Sequence, residues 1–292
     1  MDSGCHASLY LPPGLLEEWI REDIPFVDLT TTVLGIGGAP GRARLVTRER
    51  VVACGLVEAA AVYRTLGARV ELVHREGLWV EPGTVLLEAH GEASALHAAW
   101  RVAQSLAAIG SAVATYTRLM VERARKVNPR VVVAAARKAP PGLRHLYYHC
   151  VLCGGASLHR MGVSDTVIVF QNHYRFLGGL DGALERLREA RSLIGERRII
   201  VEVGDVEEAV KAARSGVVDE VQVDHLPPRR LAELVRRVRG INPSVRVAAS
   251  GGISLENVEE YAATGADFLV TSAPYWVKPA DLTTVIEPLE GR

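Results

Sequence analysis

The chain has 292 residues, of which 48% are hydrophobic and 23% charged, and 34 basic residues balance 34 acidic ones to a formal net charge of zero. That balance excludes a general nucleic-acid or anionic-membrane footprint, and no apolar run reaches the roughly 20 residues of a membrane span. Four cysteines do not make a disulfide scaffold in a chain of this size, and Met1-Asp2-Ser3-Gly4-Cys5-His6 lacks the basic and apolar regions of a secretory signal, so a reduced, cytoplasmic setting and one large or two moderate domains are expected.

Leu15, Leu16, Trp19 and Ile20 form one apolar face of a short helix behind Pro12-Pro13-Gly14. Residues 42–55 alternate in strand fashion through Ala43, Leu45 and Thr47, and 56–67 read as a helix ended by glycine. Val70–Val73 and Thr84–Leu87 read as strands joined through a Pro82-Gly83 turn. A long helix follows with Leu96, Trp100, Ala103 and Ala107 on one side, and Trp79 and Trp100 are expected in the core. A loop near 112–116 is the expected domain boundary.

From about residue 114 the pattern becomes strand–helix alternation. Strands are expected at 131–136, 166–171, 199–204, 220–225, 245–250 and 267–272, with helices at 180–194, 206–215, 228–239 and 255–264. The strands are Val/Ile/Ala-rich without strict alternation, as strands covered on both faces are. Six such units point to a parallel barrel or a doubly wound sheet.

In parallel α/β folds ligands bind at the C-terminal strand ends. The first end carries Arg137-Lys138, and Lys138 is one of only four lysines in the chain. His159 and Arg160 precede the second strand, Glu202 lies within the third, Asp224-His225 end the fourth, Ser250-Gly251-Gly252 the fifth and Thr271-Ser272-Ala273 the sixth. Gly251-Gly252 lets backbone N–H groups approach a phosphate, Ile253-Ser254 is expected to open the next helix, and Thr271 and Ser272 add hydroxyls. Two plain turns are the plainer alternative. Glu202 and Asp224 either hold sugar hydroxyls or Mg²⁺ on a pyrophosphate, or sit on a solvated edge. Arg137, Lys138, His159 and Arg160 either collect a second anion or form a structural ion-pair network. Cys150-Val151-Leu152-Cys153, near His145, His149 and His159, has the spacing of half a zinc site. With no second Cys-x-x-Cys following, the two cysteines read as helix packing.

The string Arg137-Lys138-x-x-Pro-Gly-Leu-Arg, then Gly154-Gly155, His159-Arg160-x-Gly162-x-x-Asp165 and Asn172-His173, resembles quinolinate phosphoribosyltransferase. So do Val201-Glu202-Val203, Ala249-Ser250-Gly251-Gly252-Ile253, Asp28-Leu29-Thr30-Thr31 and Val80-Glu81-Pro82-Gly83. Trp100-Arg101-Val102-Ala103-Gln104, Val169-Phe170 and Val270-Thr271-Ser272-Ala273-Pro274-Tyr275 look closer to the ModD-type branch, associated with molybdate transport genes.

The resemblance implies an N-terminal α/β sandwich domain (1–112, joined by 276–292) packed on an open parallel α/β barrel (113–275). It implies Mg²⁺, phosphoribosyl pyrophosphate (PRPP), and a homodimer with a shared active site to which Arg101 reaches across. Arg137, His159 and Arg160 match residues gripping substrate carboxylates, and Lys138 a lysine near the carboxylates and PRPP. Glu202 and Asp224 match acids around the ribose and metal. Ser250, Gly251, Gly252, Thr271 and Ser272 match the 5′-phosphate cradle. The chain departs from the family pattern at Phe170, and at about Tyr148 or His149, where the family has lysines. Ala136 and Ala139 stand in place of threonines. The expected activity is transfer of phosphoribose to a quinolinate-like aromatic acid. Two alternatives stand beside it: a barrel enzyme of another reaction type, and a non-catalytic protein binding PRPP or an oxyanion in molybdenum metabolism.

Overall fold

The computed structural model describes residues 10–289. The stretch Met1–His6, on which the expectation of no secretory signal rests, lies outside the described residues. The chain divides into two compact units: Met1–Arg118 with Ala139–Gly155 and Pro274–Arg292, and Leu119–Lys138 with Ala156–Ala273.

In the first unit α1 (Pro13–Asp23) starts behind Pro12 and buries Leu16 and Trp19. Helix α2 (Leu29–Leu34) is capped by the Asp28 side chain on the Thr31 N–H. Strand β1 (Pro40–Thr47) has the alternating burial its sequence requires, with Ala43 and Leu45 inward. It is followed by β2 (Val51–Val52), α3 (Leu56–Thr65), β3 (Arg69–Val73), β4 (Trp79–Val80) and β5 (Val85–Glu92). Helix α4 (Ala93–Val127) runs unbroken for 35 residues. The loop expected near 112–116 is therefore helix. Gly110 does not break α4: a Cβ there would meet Cys54 O, Gly55 Cα and Cys150 Sγ, each at 3.0 Å, so the glycine lets the helix pack closely on the 54–55 turn. Helix α5 (Arg144–Cys153) also belongs to this unit. Trp79 and Trp100 are only half-buried, each under an arginine (Arg50 and Arg101) 4.1 Å from the ring centroid, which corrects the expectation that they fill the core.

The second unit holds β6 (Val132–Ala135), β7 (Ser157–Leu158), β8 (Val167–Val169), α6 (Gln171–Tyr174), α7 (Leu180–Glu189), α8 (Arg191–Ile194), β9 (Ile199–Val203), α9 (Val206–Arg214), β10 (Glu220–Asp224), α10 (Pro228–Ile241), β11 (Arg246–Ser250), α11 (Val258–Ala263) and β12 (Phe268–Thr271). Its seven strands form one parallel, open sheet in the order β7-β6-β12-β11-β10-β9-β8. This is the parallel α/β architecture expected. The central strands are buried along most of their length because helices cover them; α9, for example, buries Val206, Ala209, Val210 and Ala213 and turns its charges outward. The Asp205 side chain caps α9 on the Glu208 N–H at 2.9 Å. The chain then returns to the first unit as β13 (Leu282–Pro288), completing an antiparallel sheet ordered β13-β1-β5-β3. No helix among the described residues is long and apolar enough to cross a membrane.

Candidate active site

The C-terminal ends of the parallel strands surround a cavity of about 480 Å³ lying wholly in the second unit. Its wall contains Arg137, Lys138, His159, Arg160, Glu202, Asp224, Ser250, Gly251, Gly252, Thr271 and Ser272. Eleven of the twelve residues expected at the site are thus brought to one hollow. The twelfth, Arg101, lies on α4 in the other unit, exposed and stacked over Trp100.

One wall is cationic. Arg137 and Lys138 are exposed as the chain leaves β6, where the Ala136 N–H donates to Thr271 O at 2.7 Å. Arg160 lies with its guanidinium 5.8 Å from the Phe170 ring centroid. One nitrogen of His159 is 3.2 Å from Glu220 Oε1, and Glu220 is fully buried and also paired with Arg198. His159 is therefore partly committed to the strand beneath it.

The floor is built by β10. Its side chains at positions 220, 222 and 224 share one face because strand side chains alternate. Register places Gln222 beside Glu202 and Asp224 beside Ser250. Gln222 Nε2 donates to Glu202 Oε2 at 2.8 Å, and Ser250 Oγ donates to Asp224 Oδ1 at 3.0 Å. Burial pushes the Glu202 carboxyl above its ordinary range and nearby Asp224 adds to this, while the Gln222 hydrogen bond and Lys138 oppose it. Sequence reasoning passed over Gln222. Its signal was the period-2 polar series Glu220, Gln222, Asp224 in an otherwise valine strand.

The neighbouring strand ends, β12 beside β6 and then β11, contribute backbone. Gly251 and Gly252 take φ of +84° and +68°, the left-handed region that glycine adopts without a Cβ penalty. His225 has φ +54°, the single positive value for a non-glycine among the described residues, and its N–H donates to Ser250 O at 2.9 Å. Two expectations change here. The helix expected to open at Ile253-Ser254 begins only at Val258, and the Ser254 N–H is taken by Asn257 Oδ1 at 2.9 Å. The Thr271 hydroxyl donates to Ile253 O at 2.6 Å and accepts from the Ala273 N–H at 3.0 Å, so it ties the two loops together rather than facing a ligand. Gly251, Gly252 and Ser272 stand beside it on the cavity wall. Chemically, the hollow combines side-chain cations, glycine backbone and two carboxylates around one space.

The chain matches the model of the quinolinate phosphoribosyl transferase N-terminal domain over residues 28–109 and that of the C-terminal domain over residues 113–284. It is 39% identical to the ModD protein of Rhodobacter capsulatus over 251 residues, 85% of this chain and 95% of that one. It is 32% identical over 283 residues to the probable nicotinate-nucleotide pyrophosphorylase (carboxylating) of Methanothermobacter thermautotrophicus, covering 94% of this chain and 99% of that one. Among solved structures, NadC from Streptococcus pyogenes superposes with a TM-score of 0.87 at 23% identity, covering 97% of this chain and 100% of that one, a likeness of fold.

Proposed function

Because the chain belongs to the quinolinate phosphoribosyltransferase family, we propose that this cavity transfers phosphoribose from PRPP to a quinolinate-like aromatic acid and releases pyrophosphate. The observation that carries the reading is the convergence of Arg137, Lys138 and Arg160 with the Gly251-Gly252 backbone on one cavity floored by Glu202 and Asp224. Two anionic reactants need two sets of donors, and side-chain cations and glycine backbone both line this cavity.

The 5′-phosphate of PRPP rests on the glycine N–H groups, while Glu202 and Asp224 accept hydrogen bonds from the ribose hydroxyls. The acceptor carboxylate is held by Arg137 and Arg160, so that the ring nitrogen attacks C1 as the bond from C1 to the pyrophosphate oxygen breaks. Positioning and charge stabilisation do most of this work. The carboxylates favour the positive ring sugar of the transition state, and Lys138 stabilises the leaving oxygen. With quinolinate as acceptor, the C2–carboxylate bond breaks, CO₂ departs, the pyridinium stabilises the electron pair left on C2, and C2 takes up a proton from solvent. Glu202 and Asp224 form a hard-oxygen donor set that fits Mg²⁺, and such an ion, when bound, supplies further neutralisation of pyrophosphate charge.

Phe170 favours a second reading. It places an aromatic ring, stacked on His173 at 5.7 Å, where the resemblance expects a lysine, which removes one cation from the acceptor side. A protein that binds PRPP or an oxyanion such as molybdate without turnover has the same phosphate wall. PRPP-dependent pyrophosphate release across pyridine and benzene carboxylic acids separates the two. We expect release with at least one acid, lowered about 10²–10³-fold in Lys138→Ala. No release with any acid, together with calorimetric binding of PRPP or molybdate, selects the second reading.

The proposal includes a homodimer with shared sites, to which exposed Arg101 contributes across the interface. Mixing inactive Arg101→Ala and Lys138→Ala proteins then restores about a quarter of wild-type activity, because random exchange rebuilds one intact site in each mixed dimer. No restoration after verified subunit exchange rejects sharing through Arg101.

A further inference from the structure

Outside the cavity, the first unit brings together a second group of reactive side chains. Helix α5 presents His149 and Cys153 one turn apart on one face. Cys54, in the turn after β2, and Glu76, in the turn between β3 and β4, reach the same point. One donor atom from each lies within 4.8 Å of all the others. All four residues are buried, with exposures of 0% for Cys54, 8% for Glu76 and 2% for both His149 and Cys153. From this geometry we propose that Cys54, Glu76, His149 and Cys153 form a closed zinc site.

A tetrahedral zinc with bonds of about 2.0–2.3 Å separates its donors by roughly 3.3–3.8 Å, so the wider pairs, within 4.8 Å, must close slightly and the His149–Glu76 pair, at 2.9 Å, must open slightly. The surroundings have the form such a site requires. His149 Nδ1 lies 2.7 Å from Glu58 Oε1 and Nε2 lies 2.9 Å from Glu76 Oε2. With Nδ1–H donating to Glu58, Nε2 is oriented for the metal. Glu58 is 1% exposed and its Oε2 has no hydrogen-bond partner. Without an ion, one imidazole faces two buried carboxylates, an arrangement that desolvation penalises. With it, two thiolates, Glu76 and Zn²⁺ sum to a single negative charge, and the buried Glu58 carboxylate beside the imidazole adds a second. Arg118, donating to the carbonyls of Cys153, Gly154 and Gly77 at 3.0–3.1 Å, offsets part of that charge. On the far side His145 Nδ1 stands 3.9 Å from Glu58 Oε1.

Two sulfurs, one nitrogen and one oxygen select zinc over the hard cations Mg²⁺ and Ca²⁺. With every position supplied by the protein, the ion acts as a clamp between α5 and two turns, not as a catalyst. The competing chemistry is a disulfide between Cys54 and Cys150, whose sulfurs are 3.1 Å apart. Both are 0% exposed, which denies an oxidant the access that reactive thiols need.

The test uses the full chain without a metal-binding tag, purified under reducing conditions from zinc-supplemented cells. We expect about one zinc per chain by elemental analysis and native mass spectrometry. Cobalt exchange should give thiolate charge-transfer bands and tetrahedral d–d absorption. Cys153→Ala and His149→Ala should lose the metal, and Cys150→Ala should keep it. Should the alanine variants fail to fold, mercurial titration of the wild-type protein decides, since zinc release must track modification of two thiols. Wild-type protein that holds no divalent metal after zinc dialysis and gives no tetrahedral cobalt spectrum overturns the site. So does a Cys54–Cys150 disulfide in the native protein.

Discussion

At Gly251 a Cβ would stand 2.5 Å from Asp224 Oδ1 and 2.6 Å from the His225 nitrogen, with φ already at +84°; at Gly252, φ +68°, the nearest atom would be His225 Nδ1 at 3.5 Å. The two glycines therefore separate backbone strain from collision. Gly252→Ala should cost about 1–2 kcal/mol in urea unfolding, the left-handed penalty alone. Gly251→Ala should cost more and also weaken PRPP binding by at least about tenfold, because His225 or Asp224 must move. Equal costs at the two positions would show that the loop relaxes freely. Glu202 supplies a different kind of test. Its carboxyl titrates above the ordinary range, first because it is buried. An acid with a raised folded pKa contributes stability below its unfolded pKa, and that contribution is lost as pH rises through the folded value. Glu202→Gln, neutral at every pH, should therefore melt higher than wild type at pH about 7.5 and show no such gain near pH 4. Its turnover should fall about a hundredfold if the carboxylate stabilises the sugar cation, and the acid limb of the wild-type rate profile should lie above the usual carboxylate range.

The elements show what the sequence can and cannot say. Each strand expected in the second unit forms within two residues of its expected limits, because short β-branched runs bounded by turns admit few other structures. The cavity residues were readable for the same reason: once strand ends are known, the side chains there must face the ligand edge. The two-residue strands β4 and β7 were not, since their pairing depends on distant partners rather than local pattern. Nor was the Thr271 strut, because the acceptor it chooses, Ile253 O, is set by the packing of two loops. Cys54 and Glu76 escaped notice because half a ligand set was sought next to the Cys-x-x-Cys, whereas folding supplies it from about a hundred residues away. Helix α4 shows how a glycine misleads in a different way: Gly110 marks close approach, not termination. The same logic applies where α5 ends on α4. A Cβ at Gly154 would sit 2.5 Å from Thr117 Cβ and 2.8 Å from Ala114 O. Gly154→Ala should destabilise the protein by about 1–3 kcal/mol through overpacking, read by denaturant titration, and Thr117→Ser should recover part of that loss by removing the methyl group, Cγ2, that would stand 2.6 Å from the new Cβ. No recovery would place the strain on the contacts that Thr117→Ser leaves in place, Cβ of residue 117 and the Ala114 carbonyl.

For the molecule as a whole the charges cancel, 34 against 34, yet Arg137, Lys138 and Arg160 gather on one wall of one cavity. A neutral protein with a local cationic site attracts anions only over a screening length, about 8 Å at physiological ionic strength. Long-range steering therefore contributes little, and affinity depends on contact. The two reactants should then respond separately to loss of a single cation. Arg160→Gln should raise the KM for the aromatic acid about ten- to a hundredfold, the range for a hydrogen bond to a charged group. The PRPP dissociation constant, measured by calorimetry, should move by less than about threefold if, as proposed, its 5′-phosphate is held by backbone N–H groups of the Gly251-Gly252 turn. Raising salt from about 0.05 to 0.5 M should weaken both ligands in parallel, since screening does not distinguish one wall from the other. If Arg160→Gln instead weakens PRPP and acceptor equally, the cations act as a shared field, and the division of the cavity into an acceptor wall and a phosphate wall is wrong.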